Sequence, residues 1–402
     1  MQSPPMTTQA GNPGAFAHFD LGRVDSPAFV VDAAKIRSNC QILAEIRDEA
    51  ASDGASIKVF AALKAFSMWS VAHIMGEYLD GVSTSGLWEA RLASEFYDGE
   101  IATYSAAFKP DELEEICRLS EHVIFNSPAQ LRRAALILDH AATTGGDVSP
   151  GLRINPMVAT GDVPKYDPSA PGSRLGFPID QLTEEAMEGV EGIHFHNLCE
   201  QTFEPLQRTW DRVFDVIEPW FGQLKWINMG GGHHITRDDY ERAELVEFLK
   251  DAAADTGAEI IIEPGEAIAL DAGILVGTLL DTGFNDVPVG ITDVSATCHM
   301  PDVLEAPYRP AMLGELTDED SIPIRLGGPS CLAGDVIGDY RLPVKADPGA
   351  RFAFLDQAHY SMVKTNTFNG VQLPSIYLWD SETDALECVK RFEYEDFRGR
   401  LS

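Results

Sequence analysis

Lys64 ends the apolar run IKVFAAL (57–63) and is followed by Ala65 and Phe66. A lysine held among apolar groups loses its water, so its pKa falls and the neutral amine becomes a nucleophile for Schiff-base formation with a carbonyl. A lysine that merely snorkels from a strand end would carry the same local sequence. His194 and His196 in GIHFHN (192–197) fall on one face of a strand, where they could stack on a ring, hydrogen-bond or line a polar layer. They lack an acidic partner at HExxH-like spacing, so no metal is expected. Met229-Gly230-Gly231-Gly232-His233 puts three glycines after a strand, where backbone N–H groups converge on an anion. Glu263 closes EIIIE (259–263), just before Pro264-Gly265-Glu266, and is placed to hold a protonated ring nitrogen. None of these features is specific alone. An amine, an anion cradle and a carboxylate for a pyridinium together describe a pyridoxal phosphate site.

The elements that must position these residues follow from the pattern. Eight β-prone runs alternate with helix-like segments: 57–63, 81–85, 101–105, 122–126, 151–155, 192–197, 224–229 and 259–263. The segments 86–96, 127–138 and 238–254 have helical periodicity, and 33–50 is a helix ahead of the first strand. Eight β/α units over about 230 residues predict a (β/α)8 TIM barrel. An open doubly wound sheet is the rival, but no GxGxxG opens a helix after the first strand. Active sites in such barrels sit at the C-terminal strand ends, and phosphate sites follow strands seven and eight, where the glycines and Glu263 fall.

Beyond residue 268 the runs 272–281, 287–294, 322–328 and 351–356 are separated by Gly, Pro and Asp. They predict a mostly antiparallel β-domain. The expected organisation is a tail and one strand over 1–32 that joins the β-domain, a cofactor-binding barrel over 33–267, and the β-domain over 268–402.

Composition narrows the partners. Thirty basic and 63 acidic residues give a net charge of −33, with 20 Arg and 10 Lys. This disfavours nucleic acid and anionic membranes, whose phosphates require basic patches, and is compatible with a cationic substrate, a salty environment or simple solubility. Six scattered cysteines without CxxC spacing, no secretory signal and no apolar run of membrane length lead us to expect a cytoplasmic protein. The first dozen residues read as a disordered tail.

Two β-domain stretches complete the set. Gly327-Gly328-Pro329-Ser330-Cys331-Leu332-Ala333-Gly334-Asp335 puts a thiol and an acid in a Gly/Pro loop, and Tyr360 precedes Thr367-Phe368-Asn369-Gly370. The cysteine is either a proton donor or an inert thiol. With AALKA at Lys64, HFHN, MGGG and EPG, these stretches run in an order that resembles the fold-type III pyridoxal phosphate decarboxylases, whose alanine racemase-like fold is a barrel plus a β-domain. FAALKAFS, HFHNLCE, EPGE and SATCHMPDVLEAPYRP (295–310) are most similar to the carboxynorspermidine branch.

The resemblance implies polyamine biosynthesis by loss of CO2 from carboxynorspermidine, and from carboxyspermidine. Lys64 would carry pyridoxal 5'-phosphate, His196 would stack on its ring, Glu263 would pair with the ring nitrogen, and Gly231, Gly232 and Tyr360 would hold the phosphate. Cys331 would act across a homodimer with active sites at the subunit interface and return a proton to Cα. Two residues depart from the ornithine and diaminopimelate branches: Leu332 replaces an acid after the cysteine, and Glu266 replaces an arginine after EPG. Phosphate binding would then rest on backbone amides, and Glu266, Asp302 and Asp335 become candidate contacts for substrate amines. Diaminopimelate or ornithine decarboxylation, racemization on the same scaffold, and a catalytically silent homologue regulating polyamine metabolism remain the alternatives.

Overall fold

The computed structural model describes residues 11–402 except 144–147, 162–163 and 319–320. Those residues divide into two compact units, one formed by 37–268 and the other by the N-terminal segment through residue 36 together with 269–402. The disordered-tail expectation falls on residues 1–10, outside the described residues, and on Gly11 and Asn12. The latter two are held, both donating backbone N–H groups to Asp271 Oδ1 at 3.0 Å.

Strand β1 (Ala28–Asp32) belongs to the second unit, where it pairs antiparallel with one strand and parallel with another. The barrel follows: β2 (Ile57–Ala62), β3 (Gly81–Thr84), β4 (Glu100–Tyr104), β5 (His122–Phe125), β6 (Ser149–Asn155), the short β7 (Phe177–Pro178) beside β6, β8 (Gly192–His194), β9 (Trp226–Asn228) and β10 (Glu259–Ile262). All its pairings are parallel, in the order β5-β4-β3-β2-β10-β9-β8-β6, and β6 closes on β5. Phe60, Ala102, Ile124, Trp226 and Ile261 fill the barrel interior. Trp226 fits because the next two strands along the barrel wall carry glycine: a Cβ on Gly192 or Gly151 would lie 2.0 or 2.2 Å from its ring. Its indole N–H donates to Ser149 Oγ at 2.8 Å.

The N-terminal strand ends close on a charged cluster. Lys58 Nζ lies 2.5 Å from Glu100 and 3.0 Å from Glu259, and His122 Nε2 meets Glu100 at 3.0 Å. Glu100, His122 and Glu259 come within metal-ligand distance of one another, but the Lys58 ammonium between the two carboxylates supplies the cation itself. The His122 hydrogen bond and Lys58 outweigh burial and hold the Glu100 carboxyl down at about 2. A depressed carboxylate stabilises the fold above its unfolded pKa, so this contribution is lost as pH falls from about 4.5 toward 2. Lys58→Met leaves two carboxylates facing each other without a cation. It is expected to cost about 1–3 kcal/mol, read as a lowered Tm at pH 7 that narrows below pH 4.

The second unit is a mostly antiparallel sheet. Its strands are β1, β11 (Gly273–Asn285), β12 (Val287–Thr292), β13 (Ile324–Gly327), β14 (Val336–Tyr340), β15 (Arg351–Leu355), β16 (Ser375–Asp380) and β17 (Ala385–Lys390), ordered β14-β13-β12-β11-β1-β16-β17 with β15 also on β11. Only β1–β16 and β12–β13 pair parallel. The first half of β11 is buried between β1 and β15, while its far half with β12 leaves Leu280, Phe284, Val287 and Ile291 exposed.

Candidate active site

In the barrel unit, four chain segments deliver the candidate residues from the C-terminal strand ends. Lys64 stands two residues after β2, His196 two after β8, Gly230–Gly232 follow β9, and Glu263 follows β10. Lys64 Nζ lies 3.0 Å from His196 Nε2, and Gly231 N–H donates to His196 Nδ1 at 3.0 Å. These two contacts fix the protons. An amide N–H can only donate, so Nδ1 is the acceptor and the neutral ring carries its hydrogen on Nε2. That hydrogen points at Lys64, which must offer a lone pair and is therefore the neutral amine. The electrostatics run the same way. Lys64 is reachable from the mouth, but the surrounding protein strips most of its water, and the nearby Arg153 guanidinium adds to this, so its pKa falls. Burial, with the Arg153 guanidinium nearby, pushes His196 well below its ordinary value.

Glu263 is buried. Its Oε1 accepts from Asn228 Nδ2 at 2.7 Å and its Oε2 lies 3.5 Å from His194 Nε2. Burial alone would raise its pKa; His194 and Asn228 outweigh it and hold the carboxyl well below the usual range. Burial also drives His194 toward its neutral form, so hydrogen bonding, more than a second full charge, keeps Glu263 ionised. The His194 ring stacks on Tyr104 with centroids 5.6 Å apart.

Arg153, from β6, escaped the sequence reading. It is buried, donates to His196 O at 2.8 Å, and its guanidinium lies 4.5 Å from the centre of the Tyr104 ring. The signal was present: Gly151, Arg153 and Asn155 share one strand face, and a charged residue there has only the barrel interior to enter.

Two of the expected residues have partners within the chain. Gly231 was expected to cradle phosphate, but its N–H is already given to His196. Gly232, at φ +90°, donates its N–H to no described residue. Glu266, expected as a contact for a substrate amine, is buried with Oε1 3.3 Å from His234 Nε2. Although burial opposes it, Glu266 raises the His234 pKa, so this carboxylate already has a partner within the chain.

The other candidates lie in the β-unit. Asp302 Oδ1 accepts from Lys364 Nζ at 2.6 Å. Asp335 is buried and accepts from Ser295 Oγ, Ser330 Oγ and Thr297 N–H at 2.8, 2.6 and 3.1 Å. Cys331 is exposed, its N–H donating to Asn369 Oδ1 at 2.9 Å. Tyr360 has φ +46°, with Lys364 Nζ 5.4 Å from its ring centre. The structure thus brings Lys64, His196, Gly231 and Glu263 into one strand-end group, and Cys331, Asp335 and Asn369 into another.

No family model matches the chain. The carboxynorspermidine/carboxyspermidine decarboxylase of Campylobacter jejuni is 36% identical over 387 residues, 93% of this chain and 98% of that protein. The carboxyaminopropylagmatine decarboxylase of Synechocystis is 37% identical over 387 residues, 95% of this chain and 96% of that one. The crystal structure of carboxynorspermidine decarboxylase from C. jejuni complexed with norspermidine superposes with a TM-score of 0.84 at 36% identity, covering 94% of this chain and 100% of that chain. Relatives of this identity along nearly the whole chain, on a barrel that gathers a neutral lysine and an ionised glutamate at its strand ends, make the protein a decarboxylase of the carboxynorspermidine/carboxyspermidine decarboxylase family.

Proposed function

We propose that this decarboxylase removes CO2 from the α-carboxylate of carboxynorspermidine and carboxyspermidine, using pyridoxal 5'-phosphate. The observation that carries the reading is the hydrogen-bond chain from Gly231 through His196 to a neutral Lys64, beside a buried, ionised Glu263. These groups suit the cofactor: an uncharged amine for its carbonyl, a flat ring to face its ring, and a carboxylate for its pyridine nitrogen. Lys64 would hold it covalently, His196 from one face and Glu263 at the ring nitrogen, with the Gly232 amide and Tyr360 toward its phosphate. Bound there, the cofactor supplies the electron sink for carbon–carbon cleavage. Arg153 keeps the strand end that carries His196 in place, and Cys331 returns a proton to the substrate carbon.

Asp302 suits a polyamine because its present partner, Lys364, is itself an ammonium, so a substrate ammonium can take the same place. The exposed Leu280, Phe284, Val287 and Ile291 support a homodimer through the β-unit, with the active sites shared between subunits. Among the described residues no helix is long and apolar enough to cross a membrane, and all six cysteines are free. Both support a site of action in the reducing cytoplasm.

The test is CO2 release from a substrate panel. Carboxynorspermidine or carboxyspermidine should exceed diaminopimelate and ornithine in kcat/KM by about 10²-fold or more. Preference for either amino acid, or no CO2 from any of the four, rejects the proposal. Carboxyaminopropylagmatine belongs on the panel as a second reading, favoured by the 37% identity of the Synechocystis enzyme. Asp302→Ala should raise KM about tenfold with little change in kcat, as expected for one lost charge-assisted contact.

A further inference from the structure

Three stretches separated in sequence, 295–299, 327–335 and 366–370, converge in the β-unit. Asp335 joins the first two: Oδ2 accepts from the hydroxyls of both Ser295 and Ser330, and Oδ1 accepts from Thr297 N–H. The loop bearing Cys331 is closed by Asp335 at both levels, since Gly328 N–H donates to Asp335 O and Asp335 N–H to Leu332 O, each at 2.9 Å. Glycine at 328 is required for this packing, because a Cβ there would lie 2.4 Å from Asp335 Oδ2. The third stretch is tied to the first through Asn366, whose N–H and Nδ2 donate to Cys298 O and Thr297 O at 2.9 and 2.7 Å. It then reaches the thiol-bearing residue itself: Asn369, in the left-handed region at φ +58°, accepts the Cys331 N–H. Cys331 is thus exposed on a loop held by Asp335, which is tied to Ser295 and Thr297, and by Asn369, whose neighbour Asn366 is tied to Thr297 and Cys298.

We infer that Asp335 is a positioning residue, which sets the place of the Cys331 thiol through Ser295, Ser330 and Thr297 and does not bind a substrate amine. All three of its hydrogen-bond donors are protein groups, and a buried carboxylate that lost them to reach a ligand would leave two hydroxyls and an amide unpaired. What Cys331 does rests on the decarboxylase reading; where it is held does not.

The experiment follows Cys331 alkylation by iodoacetamide in the holoenzyme, resolved by peptide mass spectrometry, with CO2-release kinetics beside it. In Asp335→Ala the loosened loop should raise the alkylation rate about fivefold or more, as local opening does. kcat should fall about 10- to 100-fold, with KM within about twofold of the unmodified enzyme. Asp335→Asn keeps one acceptor oxygen and faces hydroxyls that can reverse their bonds, so it should restore most of both values. If Asp335→Ala does not fold, Ser330→Ala removes one tie and should shift alkylation in the same direction. Unchanged alkylation in these variants, or a KM raised about tenfold in both Asp335 variants with kcat retained, overturns the inference. Should the unmodified enzyme release no CO2 from any substrate, the decarboxylase reading fails, and the alkylation result still decides where the thiol is held.

Discussion

Lys64→Ala should abolish CO2 release, with a loss of about 10⁴-fold or more in kcat/KM. Its amine is the group that the Gly231–His196 hydrogen-bond chain and the lowered pKa prepare as a nucleophile. The purified enzyme should absorb at the wavelengths of protein-bound pyridoxal phosphate, and borohydride should fix the cofactor to the peptide containing Lys64. In the variant both signals should vanish while the Tm of the cofactor-free proteins stays the same, because the amine is reachable from the mouth and supports no packing. A neutral amine also predicts that Lys64 reacts with an acylating reagent well below the pH at which ordinary lysines do. The sign follows from the shift: a lysine whose pKa is lowered is uncharged over a wider range toward acid. Retained decarboxylation in Lys64→Ala would overturn the assignment of the site.

The barrel was legible because its strands are short β-prone runs, each closed by a polar or glycine-rich end, that alternate with helix-like segments. The same regularity puts Lys64, His196, Gly231 and Glu263 at strand ends in the sequence alone. What the residues do with one another was less legible. Gly231 reads as an anion donor until His196, 35 residues away, takes its N–H. Asp302 reads as a free acid until Lys364, 62 residues away, meets it. Asp335 reads as an acid in a Gly/Pro loop until Ser295, 40 residues away, is found against it. A side chain's type shows what it can donate or accept; only the fold shows which partner reaches it first. The β-unit was less legible for a related reason. Much of β14 and β17 is exposed, so neither carries the apolar run that marks a barrel strand.

These pairings also bear on the charge of −33. Asp302 holds the Lys364 ammonium, Glu266 lies against His234, and Asp335 accepts three hydrogen bonds from the chain. Attraction of a polycationic substrate therefore does not rest on these three acids acting as free charges. It rests on the summed field of a surface with about twice as many acids as bases, which acts at distance and is screened by salt.

Glu263→Gln isolates the charge at the base of the site. The amide matches the carboxylate in size, can still accept from Asn228 and can still approach His194, so the barrel should keep its Tm within a few degrees. What it removes is the buried anion beside Lys64, His194 and Arg153. The Arg153 guanidinium is then left with Tyr104 and a backbone carbonyl, and the pyridine nitrogen of a bound cofactor with an uncharged partner. A ring nitrogen that is not held protonated draws electrons less strongly, and stabilising developing charge is where a preorganised group counts most. We expect kcat for CO2 release to fall about 10²- to 10³-fold with KM changed by less than about threefold, because Glu263 sits behind the reacting atoms and need not touch the polyamine. Cofactor should still be fixed to Lys64 by borohydride, which separates this variant from Lys64→Ala. Single-turnover CO2 release, which excludes product dissociation, is the measurement that decides. A rate within about threefold of the unmodified enzyme would show that the ionised state of Glu263 serves only to balance His194 and Arg153 within the barrel.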